Sequence, residues 1–250
     1  MGKAREAESR EENENLPGYW QLASICWRQW RAERSLRGRG VDFRSADPEK
    51  VRAAYSKMSE EEFTAINGRH HWANDRAMRQ SFAGLLPNEP VDAVDLGCGS
   101  GTSTEILCRL LPPGSHVIGV EFVEPLVEFA RHRTYFGPDG QPQHVSFVVG
   151  SVADEFVDET GRLLSDESYS LVNASGVLGH HLGMRAIMRV ADEVQRVLCS
   201  GGIAALDVGP RLSDDSLTAH MLARGFDRIR RTRGQPLDRT GQVVYRKRFE

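Results

Sequence analysis

Asp95 closes the apolar run Val94-Asp95-Leu96 and leads straight into Gly97-Cys98-Gly99-Ser100-Gly101-Thr102. Glycines at alternate positions let the backbone approach a ligand and take angles that a side chain forbids. An acid at the carboxyl end of a strand stands where open α/β sheets bind ligands. Such an acid suits a ligand with hydroxyls or an amine better than a bare phosphate. An ATPase-type phosphate loop needs a Lys after its last glycine, and Ser103 and Thr104 stand there instead. A dinucleotide loop wants Gly-x-Gly-x-x-Gly, but Thr102 occupies the place of the third glycine, which argues against NAD or FAD. A second acid, Glu121, ends the next apolar run, Val117-Ile118-Gly119-Val120-Glu121. An ionised carboxylate there can accept hydrogen bonds from both hydroxyls of a ribose. Many nucleotide sites share that geometry, so it identifies a ribose and not a whole cofactor.

Two further groups of residues could carry chemistry. The first is Asn173-Ala174-Ser175-Gly176-Val177-Leu178-Gly179-His180-His181. Histidine titrates near neutrality, so His180 or His181 is a candidate general base, against the alternative that it caps a helix or lines a pocket. The second is Tyr55, Arg69, His70, His71, Trp72 and Asn74, where Arg69 could clamp a substrate carboxylate and Trp72 could wall the pocket. Tyr19 and Trp20 could belong to a lid that keeps water out. No metal is expected: the eight histidines form no His-x-x-x-His pattern, and the four cysteines lack zinc-ligand spacing.

The elements that must position these residues read as follows. Residues 1–15 are polar and charged and read as a disordered tail. From Leu16 to about Leu36, Trp20, Ala23, Trp27 and Trp30 recur at helical spacing, with Tyr19, Leu22 and Cys26 on a neighbouring stripe. The aromatic side is expected to pack on the main domain or to form a lid over a pocket. Helical character continues through Glu49–Met58, Ser59–Asn67 and Asn74–Leu86, with a capping box at Ser59 and Glu62. Residues 16–87 thus read as a helical N-terminal cap or lid, and residues 88–250 as the ligand-binding domain.

From Val91 short strands alternate with helices. Strands are expected at Val91–Leu96, Val117–Glu121, Val145–Val149, Ser168–Asn173 and Gly202–Val208. Helices are expected at Thr102–Leu110, Glu124–Tyr135 and Met184–Leu198. That alternation is the mark of an α/β parallel sheet with helices on both faces. After a helix at Ser216–Ala223, strands Phe226–Thr232 and Val243–Phe249 follow with only Pro236–Gly241 between them, implying an antiparallel hairpin at the sheet edge.

The segments Val94–Thr102 and Gly119–Glu121, with the hairpin-ended βα series, resemble the class I S-adenosylmethionine (SAM) dependent methyltransferase family, small-molecule branch, over about Leu86–Glu250. The resemblance implies a Rossmann-like seven-stranded, mostly parallel sheet whose last strand is antiparallel and inserted beside the sixth. It implies SAM as cofactor, with Asp95, Gly97, Cys98, Gly99 and Gly101 along its methionine part. Glu121 would hold the ribose hydroxyls, Phe122 would lie beside the sugar or adenine, and Ser151 and Val152 would face the adenine, with Asp154 as an alternative acid. Asn173, His180 and His181 would face the sulfonium and the acceptor. The Asn/Asp-Pro-Pro-aromatic signature of the nucleic-acid amino-methylating branch is missing here.

The leading expectation is methyl transfer to a small natural-product or amino-acid-like acceptor. The rival keeps SAM but cyclises it intramolecularly, releasing methylthioadenosine. A binding protein that retains the fold and a protein or peptide methyltransferase are further contenders. A net charge of −3 offers no electrostatic drive toward nucleic acid or an anionic membrane, and no run is long and apolar enough to span a bilayer. A polar N-terminus and dispersed cysteines lead to the expectation of a reduced, cytoplasmic protein, as monomer or homodimer.

Overall fold

A computed structural model describes residues 19–45, 47–232 and 241–249. The expected tail at 1–15 and most of the 236–241 connection lie outside them. Four helices come first: α1 (Tyr19–Gly38), α2 (Pro48–Tyr55), α3 (Glu60–Ile66) and α4 (Gly68–Phe82). The series β1 (Asp92–Leu96), α5 (Thr102–Leu110), β2 (His116–Glu121), α6 (Glu124–Arg131), β3 (His144–Val149) and β4 (Tyr169–Ala174) follows. Then come α7 (Leu178–His181), α8 (Met184–Val197), β5 (Leu198–Val208), α9 (Asp214–Leu222), β6 (Phe226–Arg231) and β7 (Gly241–Lys247).

The sheet has seven strands in the order β3-β2-β1-β4-β5-β7-β6, and β7 runs antiparallel between β5 and β6. The hairpin expected at the edge therefore inserts its second strand inside the sheet. β1 lies in the middle, paired in parallel with β2 and β4, and the strand order reverses beside it. At such a reversal the crevice beyond the strand ends is open to a ligand. Both faces of the sheet are covered, and so Ala93, Val94, Asp95 and Leu96 are all buried. Val94, Leu96, Val172 and Leu206 pack with Ile187, Val190 and Val194 of α8. On the other face Ala93, Val117, Leu171 and Val244 pack with Leu107 of α5, Val127 of α6, and Met78 and Phe82 of α4.

Local signals account for the helix ends. Asp47 accepts from the Glu49 N–H at 3.0 Å ahead of Pro48, and the Ser59–Glu62 capping box is made in both directions. Asn67 ends α3 and stands before α4, which starts at Gly68, six residues earlier than the expected Asn74. Leu36, Phe43, Met58, Phe63 and Ile66 form a small core of the cap, joined to the sheet domain through Val123 and Leu126.

The aromatic stripe of α1 departs from expectation. Trp20, Trp27 and Trp30 are 83%, 54% and 54% exposed. The helix packs instead by its opposite side: Leu22, Ile25, Cys26, Gln29, Ala32, Glu33 and Leu36 are half-buried or buried. The reason is the closeness of its contact with α4. A Cβ at Gly68 would stand 3.2 Å from Ile25 Cγ2, a separation that leaves no room for an indole.

Candidate functional site

Between the ends of β1, β2 and β4 and the cap lies a cavity of about 340 Å³, within the small-molecule range of roughly 300–1,000 Å³. One wall is the glycine loop. Gly97 has φ 67° and Gly101 φ 84°, and a Cβ would run into Val177 at the first and the Tyr135 hydroxyl at the second. Only glycine fits there, and the turn brings Gly97, Cys98, Gly99 and Ser100 to the cavity surface. The loop is pinned to β2: Gly97 N–H donates to Val120 O at 2.7 Å and Gly99 N–H to Glu121 Oε2 at 3.1 Å. Burial pushes the Cys98 thiol well up, aided by the charges of Asp95 and Glu121, so it is no nucleophile at neutral pH.

Glu121 is 6% exposed and still lines the cavity. Its Oε1 accepts from the Val123 N–H at 2.9 Å. Burial raises its pKa to about 7, against the pull of these backbone hydrogen bonds. Phe122 lies beside it, and Ser151, Val152 and Ala153 form the adjoining wall. Ser151 Oγ accepts from the Ala153 N–H at 3.2 Å, and Asp154 points to solvent outside this lining.

Asp95 and Asn173 correct the expectation of direct contact: both are fully buried and neither lines the cavity. They form a polar spine beneath it. Asp95 Oδ2 accepts from Ser103 Oγ and Thr104 Oγ1, each at 2.7 Å, and Oδ1 accepts from Asn173 Nδ2 at 2.7 Å. Asn173 Oδ1 accepts from Gln242 Nε2 at 2.8 Å, and Gln242 Oε1 accepts from Ser81 Oγ at 2.8 Å. The spine ties α5, β1, β4, β7 and α4 together below the site. Asp95 thus fixes the start of α5, and hence the loop, without touching the ligand space.

The same cavity is lined by histidines. After β4 the chain passes through Ser175-Gly176-Val177 into the single turn α7. Asp207 of β5 holds that turn: its carboxylate accepts from the N–H groups of Val177, Leu178 and Gly179 at 2.9–3.1 Å. His181 lines the cavity, and its Nδ1 is buried with no partner among the described residues. Burial, then the neighbouring His180, lowers its pKa to about 4; burial lowers that of His71 to about 3. Both are neutral imidazoles at physiological pH. Tyr55 meets Phe63 and His181 edge-on, at centroid distances of 5.4 and 6.4 Å, and burial lifts its hydroxyl to about 12.

His180 is separated from its neighbour. It lines an adjoining cavity of about 280 Å³ with Gln29, Glu33, Arg44 and Arg211; Tyr55, Asn67 and His181 border both spaces. Arg69 does not reach the cavity, since its Nε donates to Gln29 Oε1 at 2.9 Å. Trp72 is half-buried outside the lining. Tyr19 begins α1 but its side chain lies outside the described residues, and with Trp20 exposed the expected aromatic lid is not formed by α1. Phe63, Asp207 and Gln242 were not singled out in the sequence. A polar residue inside a run such as Gly241-Gln242-Val243-Val244 is the only trace that the last of these left. No cluster that could hold a metal occurs among the described residues.

The residues fit SAM. Ser100 Oγ and Asn74 Oδ1 belong to residues 1% and 3% exposed, line the cavity and have no partner among the described residues. Buried polar groups demand hydrogen bonds, and the amine and carboxylate of a methionine group supply them. Glu121 offers its buried carboxylate to ribose hydroxyls, and Phe122 and Val152 offer apolar surface to an adenine.

Comparison with known proteins agrees. A family described as "Methyltransferase domain" matches residues 93–202. An arsenite methyltransferase of Halobacterium salinarum is 30% identical over 128 residues, covering 51% of this chain and 29% of that protein, so the chain spans under a third of this relative's length. The N-methyltransferase NodS of Bradyrhizobium japonicum, crystallised with S-adenosylhomocysteine, superposes with a TM-score of 0.57 at 14% identity, over 79% of this chain and 97% of its own. The magnesium protoporphyrin IX methyltransferase ChlM of Synechocystis, with bound SAM, gives 0.53 at 17% identity over 82% and 93%. With its sheet order, its glycine loop and the acid that ends β2, the chain has the fold of the class I SAM-dependent methyltransferases, and its residues 93–202 match their methyltransferase domain.

Proposed function

We propose that the protein transfers a methyl group from SAM to a small natural-product or amino-acid-like acceptor. The observation that carries this reading is one cavity lined both by Glu121 and the glycine loop and by Tyr55, Phe63, His71 and His181. The cofactor's own contribution, when bound, is a methyl group on a sulfonium, already activated toward a nucleophile. The chain's contribution is position. Ser100 and Asn74 would hold the amino-acid end and Glu121 the ribose, while the cap shields the methyl from water.

His181, kept neutral, acts on this reading as an acceptor that orients the O–H or N–H of the incoming molecule through Nδ1. Its lowered pKa makes it a weak base at pH 7. His180, Asn173 and Arg69 are left with supporting roles. The substrate of the arsenite-methylating relative does not carry over readily: a thiophilic arsenic centre calls for clustered thiolates, and Cys98 is the one cysteine on this cavity. The four cysteines are free, which suits the reducing cytoplasm.

The test is incubation of purified protein with SAM, alone and with fractionated small-molecule extracts, followed by mass spectrometry. The reading expects S-adenosylhomocysteine and a methylated product only with an acceptor. Methylthioadenosine formed from SAM alone would replace it by the cyclisation reading. Turnover in neither condition, with no SAM bound, would sink both.

A further inference from the structure

The exposed side of α1 has no role in the cavity, and its composition is unusual for a face left in water. Trp20, Trp27 and Trp30 lie on the side opposite the packed one, together with Arg28, Arg31 and Arg34. The guanidinium of Arg31 sits over the Trp27 ring at 4.9 Å, and that of Arg34 over Trp30 at 5.4 Å. The one acid of this helix, Glu33, is on the buried side, paired with Arg37 and Arg44. The three indoles span about 15 Å of helix axis, at about 1.5 Å per residue. No helix among the described residues is long and apolar enough to cross a membrane.

We propose that this face of α1 docks the protein on an anionic lipid surface, the helix lying flat in the headgroup region. Indoles prefer that region, and arginines stacked on them keep their charge available to lipid phosphates. Charge sets this occupant above the others. A second copy presenting the same face would set arginine against arginine, which a two-fold contact cannot relieve. Single-stranded nucleic acid is bound in basic grooves that track its backbone, whereas the groove that Trp27, Arg28 and Arg31 border is lined as well by Glu60, Glu61 and Glu62 of α3. The proposal is independent of the methyltransferase reading, because none of these residues lines the cavity.

The test is co-sedimentation of the full chain with vesicles of phosphatidylcholine, alone or mixed with phosphatidylserine at roughly two to one. Binding to the mixed vesicles only is expected, weakened by salt, with quenching of indole fluorescence by brominated lipid. The variant W20S/W27S/W30S should lose at least tenfold in partitioning and R28Q/R31Q/R34Q about fivefold per arginine, with melting temperatures near wild type because these side chains are exposed and belong to no hydrophobic core of the protein. Should the tryptophan variant fold poorly, the arginine variant and the quenching decide alone. Equal partitioning of the variants, absence of binding to mixed vesicles at low salt, or absence of quenching would each overturn the proposal. So would a dimer in sedimentation equilibrium that W20S/W27S/W30S abolishes, or tighter binding to a single-stranded RNA oligonucleotide at the same salt.

Discussion

Replacing Glu121 by Gln should stabilise the ligand-free protein at pH 8 while removing its response to S-adenosylhomocysteine. Folding raises the pKa of this carboxyl from 4.5 to about 7 because burial penalises the charge. A carboxylate whose pKa rises on folding weighs against the folded state where it must be ionised. The penalty is complete above pH 7 and fades as pH falls from 7 toward 4.5. A shift of that size amounts to about 3 kcal/mol at ~1.4 kcal/mol per unit. Gln removes the charge but turns an NH₂ toward one of the donors, Gly99 N–H or Val123 N–H, at a cost of about 1 kcal/mol. The net gain near pH 8 is about 2 kcal/mol, a rise in Tm of roughly 4–8 °C for a chain of this size. At pH 5 the gain should vanish. Saturating S-adenosylhomocysteine, at a hundred times its Kd, adds about 2.7 kcal/mol to wild type. It should add little to E121Q, whose amide replaces the carboxylate's two charged acceptor oxygens by one neutral oxygen and an NH₂ that cannot accept from a ribose hydroxyl. Thermal melts at pH 5 and 8, with and without the ligand, check all four quantities. A lower Tm for ligand-free E121Q at pH 8, or an undiminished ligand shift, would refute the reasoning.

Three more outcomes follow from the same geometry. 5′-Methylthioadenosine, which has the ribose and adenine but no titrating amine, should bind roughly tenfold more tightly at pH 8 than at pH 6, following ionisation of Glu121; calorimetry in the two buffers measures it. Gln242→Leu leaves Asn173 Oδ1 and Ser81 Oγ buried without their partner, and should cost about 2–4 kcal/mol in urea denaturation; a loss under about 0.5 kcal/mol would discount the spine. Asp207→Ala frees three N–H groups of the turn that carries His181, and should lower stability by about 1–2 kcal/mol and kcat more than it alters KM, as steady-state kinetics with an identified acceptor would show.

The sheet and the cofactor wall were legible because their signals are local. Gly97, Gly99 and Gly101 have backbone angles open mainly to glycine, and Glu121 ends an apolar run whose period marks a strand. The boundaries of α5 at Thr102 and Leu110 coincide with the expected ones for the same reason. What failed depends on contacts distant in sequence. Asp95 and Asn173 looked like ligand contacts because they stand at strand ends; their partners, Ser103, Thr104 and Gln242, show that they bind each other instead. Arg69 was a candidate clamp for a substrate carboxylate, but Gln29, forty residues earlier, takes its guanidinium. The tryptophans of α1 have the helical period of a packed stripe, and periodicity alone cannot tell which of two stripes turns inward. Gly68 decided it by admitting Ile25 and excluding an indole. His180 and His181 are adjacent in sequence, yet after the turn α7 only His181 reaches the main cavity, while both border the adjoining one.

The central claim is that the cavity between the glycine loop and Glu121 is a SAM site. Isothermal titration of the ligand-free protein with S-adenosylhomocysteine at pH 8 tests it most directly, with E121A as the control. The account predicts saturable binding of one ligand per chain, lost or weakened at least tenfold in E121A while the variant stays folded. Absence of saturable heat with wild type, or equal affinity in E121A, would contradict it.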